Sequence, residues 1–188
     1  DRVAPECALF GSCGGCQWEM LPYPLQLEAK RSLVEESLHR VGKIKDMAVP
    51  PVRGMAEPWH YRNKAQLPLQ VERGRCRIGY YAQRSHRVID LKRCLIHHPL
   101  LDQTLHAIRG VLGREGCSDL RHLLLRVGFA TEEVLVVLVS RSRRPLTTLA
   151  RAIGERAPWL AGIVQNYNPA QTNVVLGRET FSLRGQGF

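Results

Sequence analysis

The sequence predicts an α+β fold, a largely antiparallel β-sheet with flanking helices, entered through a cysteine-containing N-terminal loop. Two observations on strands and one on helices point there. Apolar and polar residues alternate from Tyr61 to Val71, and the turn sequence Glu72-Arg73-Gly74-Arg75 leads back into a second run. Two further β-rich runs, Leu120–Val127 and Val134–Ser140, are joined by the short connection Gly128–Glu133. Helical spacing of apolar residues is confined to a few separate stretches.

Residues 1–23, with their cysteines and glycines, read as a loop. Pro22 and Pro24 then lead into a helix in which Leu27, Val34, Leu38 and Val41 share one stripe, with Lys30, Arg31, Glu35 and Glu36 elsewhere and Gly42 as its stop. Residues 43–58, containing Pro50-Pro51 and Pro58, are irregular. In the alternating run, Tyr61, Ala65, Leu67, Leu69 and Val71 face one way, while Arg62, Lys64, Gln66 and Gln70 face the other. Pro68 suggests that this strand lies at an edge. Its hairpin partner is expected around Ile78–Tyr81, and a third strand at Arg87–Leu91.

Pro99 opens a second helix, with Leu101, Leu105, Ile108 and Leu112 on its apolar face and Gly113 and Gly116 at its end. After the two β-rich runs come a helix at Pro145–Ala157 and strands at Gly162–Asn166 and Asn173–Leu176. Leu183–Phe188 reads as a trailing loop. The chain is expected to divide into residues 1–98, holding the cysteine loop, first helix and basic hairpin, and residues 99–188, an α/β remainder.

Hydrophobic residues make up 44% and charged residues 23% of the 188, ordinary values for a soluble globular protein. No apolar run reaches the length of a membrane helix. The N-terminus Asp1-Arg2-Val3 has no apolar leader core, and without an initiating Met further residues are expected upstream. Lys and Arg number 27 against 17 Asp and Glu, giving a formal charge of +10, which favours a polyanionic partner, most often nucleic acid, with a merely basic protein as the plainer alternative. The expectation is a cytoplasmic monomer with no membrane association.

Six cysteines carry the sharpest local signal. Cys7 is followed by the turn Cys13-Gly14-Gly15-Cys16, so three thiols fall close together along the chain. Gly11, Gly14 and Gly15 let the backbone wrap around one centre. Cys94 is the best candidate for a fourth ligand. The same four thiols suit a structural zinc or a 4Fe–4S cluster. Zinc sites of four cysteines favour two close pairs, so three clustered ligands and a remote fourth lean towards iron–sulfur; a radical-type cluster with three ligands fits the spacing less well. Cys76 and Cys117 have no such company and read as small packed residues.

A basic segment lies beside these residues. Arg62, Lys64, Arg73, Arg75, Arg77, Arg84, Arg87, Lys92 and Arg93 face only Glu72 and Asp90 as acids, with His60, Tyr61, Tyr80, Tyr81 and His86 interleaved. A basic, aromatic sheet face suits phosphate contact and base stacking on looped RNA. A solvated hairpin is the plainer reading, and the one-sided charge argues against it. Arg141, Arg143 and Arg144 form a weaker cluster that a solvated turn explains equally well.

Together, Cys7–Gln17, Trp59–Gln66, Ile78–Asp90 with Cys94 and Pro99, and Gly162–Gly177 resemble the RumA-type family of RNA (uracil-C5)-methyltransferases. The resemblance implies a 4Fe–4S cluster held by Cys7, Cys13, Cys16 and Cys94. RNA contacts are expected from Arg62, Lys64, Arg84, His86, Arg87, Lys92 and Arg93 of the basic segment, with 23S rRNA expected as substrate rather than tRNA. The resemblance also implies a central domain between an upstream β-barrel RNA-binding domain and a downstream domain that binds S-adenosylmethionine. In that family a cysteine of the downstream domain attacks C6 of a flipped-out uracil before C5 takes the methyl group.

This chain departs from the full pattern. No glycine-rich fingerprint follows a strand, and Gly185-x-Gly187 has no helix pattern after it. No catalytic residue is assigned, and the piece is expected to be inactive in methyl transfer by itself. Two other readings stay open at this point: a non-catalytic iron–sulfur or zinc module that binds RNA, and a ferredoxin-type redox protein.

Overall fold

The computed structural model describes residues 2–185, apart from the side chains of Arg114 and Glu115. In chain order the elements are α1 (Tyr23–Arg40), β1 (Lys64–Glu72), β2 (Arg75–Tyr81), β3 (Val88–Asp90), α2 (Pro99–Glu115), β4 (Leu120–Val127), β5 (Val134–Ser140), α3 (Thr147–Arg156), β6 (Leu160–Tyr167) and β7 (Glu179–Arg184). The strands form one seven-stranded sheet in the order β3-β2-β1-β4-β5-β6-β7. Neighbours are antiparallel except β5 and β6, which run parallel through the crossover helix α3. The predicted α+β class with a largely antiparallel sheet is what the chain adopts.

Alternation explains the core. Ala65, Leu67 and Leu69 point inward from β1 and meet Leu123 and Leu125 of β4 and Val136 and Leu138 of β5. Leu101, Leu105, Ile108 and Leu112 of α2 close this layer at helical spacing, all 2% exposed or less. Leu149, Ala150 and Ile153 of α3 complete it. Trp159 Nε1 donates to Thr104 Oγ1 at 2.9 Å, which ties the end of the crossover to α2. Pro99 sits in the first turn of α2, and Gly116 ends the helix at φ 79°.

Several expectations need correction. Pro68 does not mark an edge, because β1 lies between β2 and β4. The strand changes partner there: Lys64–Pro68 pair with β4 and Leu69–Glu72 pair with β2. A residue without an N–H fits where one ladder stops and the other starts. Val71 and Tyr61 are about half exposed, so the apolar face of β1 ends at Leu69. Gly113 lies inside α2 rather than ending it.

Helix α1 forms, but none of its residues is buried, and Leu33, Val34 and Val41 stand exposed. Residues Asn173–Leu176 are not a strand; β7 comes later and takes in Leu183 and Arg184, the start of the expected trailing loop. Residues 186–188, the rest of that expected loop, lie outside the described residues. Cys76 and Cys117 are not separate packed residues but a disulfide across 41 positions, joining β2 to the segment after α2. Strand pairing across β1 and β4 brought them together, and linear spacing carried no sign of it. Among the described residues no helix is long and apolar enough to cross a membrane.

Candidate cysteine site and basic surface

The cysteine loop is tied to one end of the sheet by its backbone. Cys13 N donates to Leu9 O at 2.8 Å, and Gly14 N donates to Tyr81 O at 2.9 Å, beside a bridge from Cys13 to Ala82. A Cβ at Gly14 would meet Tyr81 O at 2.8 Å, so glycine permits this close approach. Glu19 Oε1 accepts from Cys7 N at 2.6 Å and holds the start of the loop. The segment carrying Cys94 reaches the same end. Arg62 N donates to Ile96 O at 2.8 Å, His98 N to Arg62 O at 2.9 Å, and Cys94 N to Asp102 Oδ2 at 3.0 Å.

Cys7, Cys13, Cys16 and Cys94 are all free and partly buried, and Cys13 feels the charge of Cys94 and Cys7 while Cys16 feels that of Cys94 and Cys13. Their thiols share one electrostatic environment. Burial pushes the Cys13 thiol up, and the neighbouring Cys94 and Cys7 add to that effect. Burial, then Cys94 and Glu19, push the Cys16 thiol to about 11. Burial acts the same way on Cys94, but the adjacent His97 outweighs it and holds that thiol below its ordinary value.

A four-iron cluster would need four free thiolates, each on a different iron, and these four cysteines are the free ones among the described residues. Among the described residues no group of three or more His, Cys, Asp or Glu is arranged to hold a metal ion.

A hydrogen-bonded chain lies behind Cys94. Arg62 Nη1 donates to Tyr80 Oη at 3.1 Å, Tyr80 Oη lies 2.7 Å from His97 Nε2, and His97 Nδ1 lies 2.9 Å from Asp102 Oδ1. His97 is fully buried. Burial opposes its charge, but the hydrogen bonds to Asp102 and Cys94 prevail and push it up to about 10. Asp102 thus orients both the imidazole and the backbone of Cys94. Sequence reasoning missed His97 and Asp102; the available signal was a histidine three positions after the candidate ligand Cys94.

Most of the proposed RNA-contact residues stand in solvent. Lys64, Arg84, His86, Arg87, Lys92 and Arg93 are exposed. Arg62 is not on the open face as expected; it is half-buried, with its guanidinium stacked 5.5 Å from the Tyr80 ring. Arg84 and His86 occupy the connection from β2 to β3, where Tyr81 and His86 pack edge-to-face at 5.4 Å. This connection joins the cysteine end, because Tyr81 holds Gly14. Arg73 and Arg75 fall at the opposite end of the hairpin, and Arg77 is paired with Glu72. The basic run of the sequence is thus split between two ends of the sheet.

The free cysteines thus lie at the same end of the sheet as the exposed cations Lys64, Arg84 and Arg87, and the chain is similar to proteins named as RNA methyltransferases. The chain is 39% identical to uncharacterized RNA methyltransferases of Halalkalibacterium halodurans and Listeria monocytogenes, over 199 and 197 residues, and 37% identical to one of Clostridium tetani. It is covered almost entirely in each case but spans only 43% of the relatives' length. No protein-family model matches the chain. The fold is shared with the Pyrococcus abyssi tRNA (uracil-54, C5)-methyltransferase crystallised with S-adenosyl-L-homocysteine, at TM-score 0.64 and 21% identity over 93% of this chain and 41% of that one. Over its whole length the chain is homologous to part of a family of RNA methyltransferases.

Proposed function

We propose that this chain is the RNA-binding, 4Fe–4S-carrying portion of an S-adenosylmethionine-dependent enzyme that makes 5-methyluridine in RNA. One observation supports the reading: Cys7, Cys13, Cys16 and Cys94 are free, feel one another's charge, and come from segments at the sheet end that carries the exposed cations Lys64, Arg84 and Arg87. In this reading the cluster would join the N-terminal loop to the Cys94 segment and brace the surface between them. The surface holds phosphates through Lys64, Arg84, Arg87, Lys92 and Arg93, while His86 beside Tyr81 offers ring faces to unpaired bases.

The methyl donor and the nucleophile belong to a downstream domain of the longer protein, and a β-barrel domain lies upstream. The substrate is proposed as 23S rRNA, although the solved neighbour is by its title a tRNA methyltransferase. The whole protein works in the cytoplasm as a monomer.

The test is RNA binding by the chain with Lys64→Ala/Arg84→Ala/Arg87→Ala beside the unaltered protein. The reading expects affinity for uridine-containing single-stranded RNA to fall by about tenfold or more and the salt dependence to weaken. Equal affinity in both proteins would overturn it. Arg62→Ala is a poor probe of contact, because it also removes the partner of Tyr80.

A further inference from the structure

The loop after β6, part of the segment Gly162–Gly177, has no role in the cysteine site. It lies at the opposite end of the sheet, because β5 and β6 run in the direction of β1 and finish where β1 finishes. Strands of this length separate the two ends by roughly 25 Å.

This loop is exposed yet held from beneath by buried amides. Asn168 Nδ2 donates to Val174 O at 2.9 Å and Val175 O at 3.0 Å, and its Oδ1 accepts from Ala170 N at 3.1 Å. Asn166 Nδ2 donates to Gly177 O at 3.1 Å, and its Oδ1 accepts from Gly177 N at 2.7 Å. Arg121 donates to the carbonyls of Ala170 and Thr172. Asn166 and Asn168 are 2% and 4% exposed. The backbone of the loop is therefore fixed, while Gln171, Thr172 and Asn173 point into solvent.

Cations frame it. Arg144 and Arg178 are exposed at its flanks. Arg121 and Arg141 turn to main-chain carbonyls, and among the described residues neither is paired with a carboxylate. Arg143 is paired with Glu179 and lies 4.9 Å over the Tyr167 ring. The same charge is felt inside the sheet, where burial and then Arg121 and Arg141 push His122 down to about 4.

We infer that this loop is a second RNA-contact surface, with Arg144 and Arg178 on phosphates and the amides of Gln171 and Asn173 on base edges. A fixed backbone presents those amides with little ordering cost on binding, and exposed arginines select a polyanion. The inference rests on the RNA-binding reading above and extends it to a site at the far end of the sheet.

The experiment compares the unaltered chain with Arg144→Ala/Arg178→Ala and with Gln171→Ala/Asn173→Ala. Each binds single-stranded RNAs of about 5 and about 20 nucleotides, the short one unable to span both ends at roughly 3.4 Å per stacked nucleotide. On the long RNA the arginine pair should lose about tenfold in affinity, with a salt slope smaller by about 2. The amide pair should bind more weakly with the slope unchanged. On the short RNA, captured by the cysteine end, both variants should match the unaltered chain, and melting temperatures should stay equal. If all three proteins bind the long RNA equally and with one salt slope, the second surface is refuted while the first stands; a loop that serves a protein partner gives this outcome. If the unaltered chain binds neither RNA, the RNA-binding reading falls and this inference with it.

Discussion

Tyr80 Oη sits 2.7 Å from His97 Nε2 and 3.1 Å from Arg62 Nη1, so one phenol links the entry of β1 to the segment carrying Cys94. Tyr80→Phe removes that link and leaves the buried imidazole short of a partner. The expected loss is about 1–3 kcal/mol of unfolding free energy, measured by urea titration. An unchanged midpoint would show that the chain of contacts is not under load.

His122 predicts an acid-sensitive step. It is 7% exposed, its Nδ1 has no hydrogen-bond partner among the described residues, and it is pushed down from 6.5 to about 4. The unfolded chain therefore takes up this proton first. The contribution is complete above pH 6.5 and is lost as pH falls towards 4, by at most about 3 kcal/mol. His122→Leu should flatten the stability profile between those values. His97 acts in the opposite sense: raised to about 10, it contributes below pH 6.5 and fades as pH rises towards 10.

Cys76 and Cys117 close a loop of 41 positions. Reduction should lower the melting temperature of the unaltered chain, with loop entropy alone worth up to about 4 kcal/mol. Cys76→Ser should melt at the same temperature with and without reductant. Thiol titration of the unfolded, unreduced, metal-free chain should count the four free cysteines and not six.

Ile153 of α3 is fully buried in the cluster shared with α2 and the sheet. Ile153→Ala should cost about 2–5 kcal/mol. Thr148→Ala, on the exposed side of the same helix, should change stability by less than about 0.5 kcal/mol.

Much of this fold was legible in the sequence because its signals were periodic. The apolar residues of α2 and the runs of β4 and β5 announced themselves by spacing, and their predicted limits Leu120–Val127 and Val134–Ser140 are the observed ones. What misled was context. Pro68 looks like an edge residue until β1 is seen to change partners at that point. Val174 and Leu176 look like a strand, but Asn168 takes up the carbonyls of that segment and leaves both side chains in solvent. The stripe of α1 is real in spacing and unburied in space.

The site divides in the same way. The cysteine set is proposed from local density plus one remote thiol, and the structure shows of it that all four thiols are free. The contacts behind it could not be read from the sequence, since His97, Asp102 and Tyr80 meet only after β2 and α2 are packed. Alternation predicts a solvent-facing Arg62, yet it precedes β1 and follows the bridge to His97 instead of the strand pleat.

The account depends most on the four free thiols holding one cluster, and metal analysis of the anaerobically purified chain tests it most directly. It predicts about four irons and four sulfides per chain, both lost together in Cys94→Ser. Stoichiometric zinc without sulfide, or iron and sulfide retained in Cys94→Ser, would contradict it.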